Sequence, residues 1–519
     1  MELDDDACYR ALRTRDARFD GRFFTGVRST GIYCRPVCPA RTPSRASCRF
    51  FVTAAAAQEA GFRPCLRCRP EASPGTPAWL GTSATVSRAL RLIAEGALDE
   101  ADAPDLAARL GVGERHLRRL FLQHVGASPL AVAQTRRLLF AKKLLDETAL
   151  SMTEVALSAG FASVRRFNDA IRATYARTPR ELRVTAARRG GRAAQAAGAS
   201  RTSRTSPASD CAPEIALRLP FRPPLDWDAL AGFLGARAIP GVEAAEAGVY
   251  RRTVRTAGGH GVVEVRPRPG EACLLARLWL PGTEGLIHAV ERLRRVFDLG
   301  ADPDAIAAQL GADPRLAPWV AARPGVRVPG AWDGFELAVR AILGQQVSVR
   351  AATQLAGRLV ERHGEPLALR ADLTGGAGGL RFVFPAPEAL AAADLAGLGV
   401  PRARAAAISA LASAVARAEV ALDASRGLDE TVRALSRLPG IGEWTAQYIA
   451  MRALGEPDAF PATDLGLRRA LGGASGAELL AMAEVWRPWR AYAALLLWTV
   501  DAPGARPAER EVSNGALAG

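Results

Sequence analysis

"LSRLPGIGEWTAQYIAMRAL", residues 435–454, decides the largest part of the fold. Two helical stretches are joined through Pro-Gly-Ile-Gly. The glycines permit a tight turn, and the backbone N–H groups at the start of the second helix can hold a phosphate without any side-chain charge. Gly440 and Gly442 are therefore candidate DNA-backbone contacts. Twenty-two residues beyond Gly442 stands Asp464, in "FPATDLGLRRAL". It has two readings: the N-cap of a helix, which Asp commonly supplies and Thr463 could supply instead, or a functional carboxylate.

Composition sets the frame for that hairpin. A chain of 519 residues, 49% hydrophobic, divides into three or four globular domains. Its formal charge of +15 and pI near 10.3 favour a polyanion, nucleic acid before a membrane surface. No apolar run reaches the ~18–20 residues of a transmembrane helix, and "MELDDDACYR" is acidic where a signal peptide is basic and then apolar. The expected location is the cytoplasm, associated with the nucleoid. Eight cysteines in a reducing compartment point to metal or chemistry rather than disulfides. Lys142 and Lys143 are the only lysines; every other basic residue, histidines apart, is arginine.

The expected architecture is multidomain, mainly α with α+β parts. A small four-cysteine domain spans 1–78, and an all-α double helix-turn-helix domain spans 84–183. A flexible basic linker follows at 184–213, poor in large apolar residues. An antiparallel β/α domain covers 214–290, where "GVYRRTVRTAGGHGVVEVRPRPGEACLLARLWL" alternates about a Gly-Gly turn. An all-α helix-hairpin-helix domain covers 291–505, and 506–519 is expected to be a disordered tail. The helix-turn-helix units are "DLAARLGVGERHLRRLFLQHVGASPL", with Leu106, Leu110, Leu117, Leu120 and Phe121 on one face, and "SMTEVALSAGFASVRRFNDAIRATYARTPRELR".

In "TGIYCRPVCPAR", residues 30–41, Cys34 and Cys38 stand four apart, and Cys65 and Cys68 follow after a 26-residue gap. That spacing, with no histidine nearby, suits one tetrahedral Zn2+ on four thiolates. Closed four-cysteine sites are normally inert, so a purely structural clip is one reading and a reactive thiolate the other. Cys48, inside the loop, reads as a buried small hydrophobe. On the second helix of each helix-turn-helix unit, Arg115, Arg118 and Arg119, then Ser163, Arg165, Arg166 and Asn168, are candidates for phosphate and base contacts or for solvated basic faces.

"RSTGIYCRPVCPARTPSRASCRFF" with "AGFRPCLRCRPE" resembles the zinc domain of Ada-type adaptive-response regulators over about residues 5–75. Residues 85–183 resemble the AraC-type DNA-binding domain that follows it in such proteins. The stretch from about 213 to 505 resembles AlkA-type 3-methyladenine DNA glycosylase II, through "RVPGAWDGFELAVRAILGQQVSV", "LPGIGEWTAQY" and "PWRAYAALLLW". The first resemblance implies that Cys34, held on zinc with Cys38, Cys65 and Cys68, takes a methyl group from a DNA methyl phosphotriester and is consumed once, with Arg41 on the DNA backbone. Zinc keeps a thiol deprotonated and nucleophilic, and methylation removes one negative charge, which turns repair into a binding switch. The last implies Asp464 as the catalytic carboxylate, Trp444 and Tyr448 lining the base pocket and Trp498 at its mouth. In that family an apolar residue wedges into the DNA gap; the matching position is Gln346. Thr499 stands where an aromatic is expected.

No lysine follows Lys143, so no hairpin amine can form a Schiff base, and a monofunctional hydrolase is expected. No cysteine follows Cys273, which excludes a four-cysteine iron–sulfur cluster. No Pro-Cys-His-Arg string occurs, so the O6-methylguanine transferase domain of full-length Ada proteins is missing. The resemblances together imply a regulator fused to an excision enzyme, acting on double-stranded and alkylated DNA, contacting RNA polymerase, independent of membranes and monomeric. Two rivals stand beside it: a transcription regulator whose glycosylase half is a non-catalytic DNA clamp, and an enzyme whose front half is a tether that raises its local concentration on DNA.

Overall fold

The computed structural model describes residues 4–75, 84–99, 101–196, 214–256, 258–367, 379–395 and 397–500. None of its helices is long and apolar enough to cross a membrane. The expected tail at 506–519, and Cys211, lie outside the described residues.

The first domain opens with α1 (Asp5–Thr14) and carries four short strands, β1 (Phe24–Val27), β2 (Ile32–Cys34), β3 (Cys48–Phe51) and β4 (Arg63–Pro64), in the order β3-β1-β2-β4. Helix α2 (Ala54–Glu59) precedes β4. The parallel β2–β4 pairing, Ile32 to Arg63 and Tyr33 to Pro64, brings the two cysteine pairs side by side. Phe24 and Tyr33 pack edge to face at 5.8 Å beneath them, both buried. Cys48 is buried as expected.

Helices α3 (Ala84–Ala94) to α9 (Pro179–Ala196) form the double helix-turn-helix domain: α4 (Ala103–Arg109) with α5 (Glu114–His124), the long α6 (Pro129–Glu147), and α7 (Met152–Ser158) with α8 (Val164–Tyr175). Reciprocal capping boxes, Asp102 with Asp105 and Ser151 with Glu154, start the first helix of each pair. Leu106, Leu110, Leu117 and Phe121 are buried as their spacing requires, as are Val155, Ala156, Phe167 and Ile171. The flexible linker expected from residue 184 is corrected in its first part, because α9 continues to Ala196. Alanine and arginine are strong helix formers, and a segment too poor in apolar residues for a core can still continue a helix. The rest of the linker, 197–213, lies outside the described residues.

The third part is a five-stranded antiparallel sheet: β5 (Glu214–Pro220), β6 (Glu243–Glu246), β7 (Val249–Thr256), β8 (Gly259–Pro267) and β9 (Cys273–Trp279), in the order β5-β9-β8-β7-β6. Helix α10 (Trp227–Gly235) lies between β5 and β6 in sequence. The boundary expected at 290/291 falls inside α11 (Leu286–Val296), whose Leu286, Ile287, Val290 and Leu293 share one core with the sheet residues Leu217, Val263 and Leu278. Helix α11 therefore belongs with the sheet. Phe167 and Ile171 of α8 join the same core, so the DNA-binding domain and the sheet are not separately buried units.

The remaining helices are α12 (Pro303–Leu310), α13 (Ala317–Ala322), α14 (Gly334–Leu343), α15 (Val349–His363), α16 (Pro387–Ala391), α17 (Arg402–Ala416), α18 (Leu428–Ser436), α19 (Glu443–Arg452), α20 (Leu465–Ala470), α21 (Gly476–Ala483) and α22 (Arg490–Val500). Ion pairs tie the front domains to this body: Arg22 to Asp302 and Asp304, Arg91 to Glu456, Arg109 to Asp423, and Glu95 to Arg295.

Asp298, just after α11, accepts hydrogen bonds from the Tyr492 hydroxyl (2.7 Å) and the Val328 N–H (3.2 Å). Burial pushes its pKa from 3.8 up to about 6 against the pull of Arg327. The folded chain thus binds this proton more tightly than the unfolded one. Its stabilising contribution is full below about pH 4 and is lost as pH rises through 6. Asparagine tolerates the left-handed φ of 48° found there. The expected outcome for Asp298→Asn is a melting temperature above wild type at pH 7.5, by at most about 3 kcal/mol of stability. That gap closes by pH 4.5 in a thermal-shift series; a gap independent of pH contradicts the assignment.

Candidate functional site

The hairpin between α18 and α19 is built as its sequence requires. Gly440 has φ +78°, and a Cβ there would lie 2.7 Å from that of Ala407, so no side chain fits. Gly442 is the N-cap of α19 and offers no side-chain cap, which leaves the first N–H groups of a ten-residue helix free of side-chain acceptors.

On that helix Trp444 and Tyr448, one turn apart, stack with ring centroids 5.2 Å apart and planes 8° from parallel. Trp498 of α22 stands 6.3 Å from Tyr448. Asp464 joins the three. Its Oδ2 accepts from the Trp444 indole N–H (2.8 Å), and its Oδ1 accepts from the Trp498 indole N–H (2.9 Å). The same Oδ1 caps α20 by accepting from Gly466 N (2.9 Å) and Leu467 N (3.0 Å). The cap and the pocket carboxylate, alternatives in the sequence, are one group; Thr463 is exposed and supplies no cap. These residues line a cavity of about 390 Å³ closed by Val347, Val349, Arg237, Arg340 and Arg452.

At the inner end of the cavity the Tyr448 hydroxyl accepts from Arg452 Nη1 (2.7 Å). Burial opposes ionisation of this phenol, but Arg452, Arg237 and Arg340 outweigh it and hold its pKa below the usual value. Thr499 turns its hydroxyl back to the Leu496 carbonyl (2.6 Å), so it adds nothing to the cavity in place of an aromatic.

Gln346 lies outside the cavity on the α14–α15 turn, exposed, with a left-handed φ of 55°. Val347 and Val349 beside it are also exposed. The anchoring falls to Gln345, which sequence reasoning missed. Its side-chain amide donates to Gly440 O (2.8 Å) and Thr445 Oγ1 (3.0 Å), and its backbone carbonyl accepts from Arg404 (2.6 Å). Leu465, next to Asp464 and 63% exposed, was missed as well. An exposed leucine is invisible to periodicity in a six-residue helix.

In the first domain the sulfurs of Cys34, Cys38, Cys65 and Cys68 lie within 4.8 Å of one another. A tetrahedral zinc with Zn–S near 2.3 Å needs S–S separations of about 3.8 Å, so the donor set fits the ion. The Arg35 backbone N–H donates to the Cys68 sulfur at 3.3 Å, a contact that favours a thiolate there. A cleft of about 410 Å³ opens on Cys34, Cys38 and Cys65; Arg41 lines it, together with Arg63, Arg67 and Arg177. Arg177 arrives from the helix-turn-helix domain, a contact across more than 100 residues that no local pattern announces. Arg115, Arg118 and Arg119 on α5 and Arg165 and Arg166 on α8 are exposed and belong to neither cavity. Ser163 is spent as the N-cap of α8, accepting from Arg166 N at 3.2 Å.

Four family models match the chain. "Metal binding domain of Ada" covers residues 7–71, "Helix-turn-helix domain" 106–185, "AlkA N-terminal domain" 216–333 and "HhH-GPD superfamily base excision DNA repair protein" 339–489. The third spans α11, in accord with its place beside the sheet. A Mycobacterium tuberculosis protein named "Probable bifunctional transcriptional activator/DNA repair enzyme AlkA" is 46% identical over 504 residues, 96% of this chain and 97% of that one. "DNA-3-methyladenine glycosylase 2" of Escherichia coli is 35% identical over 286 residues, 54% of this chain and 96% of that one. "Bifunctional transcriptional activator/DNA repair enzyme Ada" of Escherichia coli is 37% identical over 161 residues, 31% of this chain and 43% of that one.

The four cysteines form one zinc site. Elemental analysis of the purified protein is expected to find about one zinc per chain, and Cys65→Ser to lose it. Amide exchange should then accelerate in β1 to β4 and leave α18 and α19 unchanged. Full zinc in the variant contradicts the four-thiolate assignment.

Proposed function

Because the chain belongs to the family of bifunctional transcriptional activator and DNA repair enzymes, with its mycobacterial relative matched along almost the whole length, we propose that it excises alkylated purines of the 3-methyladenine type by hydrolysing the N-glycosidic bond, accepts a methyl group on Cys34, and activates transcription in response. The observation that carries this reading is the Asp464 carboxylate, clamped by the Trp444 and Trp498 indoles at an aromatic cavity. An extruded base stacks on Trp444 and Tyr448, which favour electron-poor alkylated rings. As the glycosidic bond breaks, positive charge develops on the deoxyribose, and the fixed Asp464 carboxylate stabilises it. The alkylated base leaves with the bonding electrons, and water supplies the oxygen that replaces it at the sugar. The cavity lining contains no lysine, in keeping with hydrolysis rather than strand cleavage through a Schiff base. The free N–H groups at Gly442 and the exposed Gln346 turn face the DNA, with Gln346 entering the gap left by the base.

At the other end of the chain, bound zinc keeps the cysteine sulfurs as thiolates. Cys34 is the most exposed of the four, at 9%, and opens on the arginine-lined cleft. Arg41, Arg63, Arg67 and Arg177 bind phosphates flanking a neutral methyl phosphotriester. The Cys34 sulfur then forms an S–CH3 bond while the methyl C–O bond breaks, and the electron pair leaves on oxygen as an ordinary phosphodiester anion. Loss of one thiolate charge reduces repulsion from DNA, and the arginines of α5 and α8 read the promoter.

Purified protein incubated with duplex DNA methylated on bases and backbone provides the test. Asp464→Asn is expected to lower base release about 100- to 1,000-fold while binding of an abasic duplex persists. Peptide mass should find a single methyl on Cys34 and none in Cys34→Ala. No base release from wild type supports the non-catalytic clamp instead, and release with Cys34 unmodified leaves the front half a tether.

A further inference from the structure

The α18–α19 hairpin carries Trp444 and Tyr448, and both of its outer ends are gripped by the DNA-binding domain. Helix α19 ends at Arg452, and the chain then turns through Gly455, at φ +63°, with Glu456 N closing on Ala450 O at 3.1 Å. Carbonyls at and beyond a helix end need donors from elsewhere. Arg91 of α3 supplies them. Its Nη1 donates to Leu454 O (2.5 Å) and Gly455 O (3.1 Å), and its Nη2 pairs with the buried Glu456 carboxylate. The guanidinium also stands at the negative end of the α19 dipole.

Ahead of α18 the same domain holds three consecutive residues. Arg109 of α4 pairs with Asp423 (3.0 Å), Ala424 is buried in the core of the DNA-binding domain, and Arg88 of α3 donates to Ser425 O (2.8 Å). That core also contains Val86, Ala89 and Leu92 of α3, and Leu117 and Phe121 of α5, whose arginines are exposed. A packed path therefore runs from α5 through α3 to both ends of the hairpin. The restraints differ in strength. Arg109 and Asp423 form a partly exposed pair, worth little, whereas Arg91 makes two carbonyl bonds and a buried ion pair. The inner face of α19 is packed through Ala446, Ile449 and Met451. Apolar packing is not directional, so it resists sliding along the helix axis less than the directional bonds of Arg91 do.

We propose that Arg91 is a positioning residue for base excision, supplied by the DNA-binding domain: it holds the end of α19 so that Trp444 and Tyr448 stand in register with Asp464. The excision step then depends on how the helix-turn-helix unit is docked. The inference rests on the reading that this cavity receives the extruded base. Arg91 does not line the cavity, so its loss leaves the groups that meet the base in place. It lets them shift, and misplacement of reacting groups lowers the rate of the chemical step more than it weakens binding.

The test compares wild type, Arg91→Met and Arg91→Lys for base release from alkylated duplex, with the active fraction titrated by an abasic duplex, and for amide exchange along the whole chain. Arg91→Met is expected to lower kcat per active site about tenfold with KM changed less than about twofold. It should speed exchange in α18 and α19 and leave zinc content and exchange in α6 to α8 unchanged. Arg91→Lys, which keeps the charge, is expected to recover most of kcat. A loss confined to the active fraction, with kcat per active site unchanged, makes Arg91 a stabilising contact only and overturns the proposal. If wild type releases no alkylated base, the glycosylase reading fails; unaltered exchange in α18 and α19 of Arg91→Met overturns this inference whatever the activity.

Discussion

A carboxylate without a cationic partner must be satisfied by neutral donors, and at Asp464 four N–H groups meet that requirement. Two come from the first turn of α20 and one each from the indoles of α19 and α22. These elements share a buried core through Met451, Leu467 and Leu496, and the carboxylate ties them together again at the cavity. The indole of Trp444, held by that bond, presents its face to Tyr448, and the Tyr448 hydroxyl in turn meets Arg452. The order of groups along the cavity wall, from acid through aromatic rings to guanidinium, follows from the four-residue spacing of Trp444, Tyr448 and Arg452 on α19, with Asp464 bonded at the Trp444 end.

The element types and the two chemical centres were legible in the sequence because each has a local signature. Cysteine spacing, the Gly-x-Gly hairpin, strand alternation and helical apolar faces all act within a few residues. Asp464 was legible as a cap or as a pocket carboxylate but not as both. The choice dissolves because one carboxylate accepts several hydrogen bonds at once. What stayed hidden depends on distant partners. Gln345 acts through Gly440 and Thr445, about a hundred residues on, and Arg237 reaches the cavity from just beyond α10, in another domain. The misplaced boundary at 290 has the same origin. A change of periodicity marks where strands give way to helices, yet α11 is assigned by the core it enters, and that core is built by the sheet.

The front domains are not appended loosely to the enzyme. Arg91 of α3 donates to Leu454 O and Gly455 O, immediately beyond α19, and pairs with Glu456. Arg88 of the same helix reaches Ser425 O at 2.8 Å, ahead of α18. The first helix of the DNA-binding domain thus holds both flanks of the hairpin that carries Trp444 and Tyr448. The zinc cleft likewise borrows Tyr175 and Arg177 from the helix-turn-helix domain. Each chemical centre therefore has a wall or support supplied by a neighbouring domain, a physical route by which occupancy of one can be felt in the next.

The two lysines complete this arrangement. Lys142 and Lys143 are 3% and 6% exposed. Lys142 pairs with Asp146 at 2.6 Å and Glu71 at 3.3 Å, and Lys143 bonds to Glu147 and the Arg218 carbonyl. All the lysine of the chain is thus inside, at the junction of three domains, and the side-chain charge offered to DNA is guanidinium, which stays protonated at any physiological pH. A cell that tunes DNA-binding proteins by acetylating surface lysines finds none to modify on this one, and its arginine contacts to phosphate weaken with salt alone.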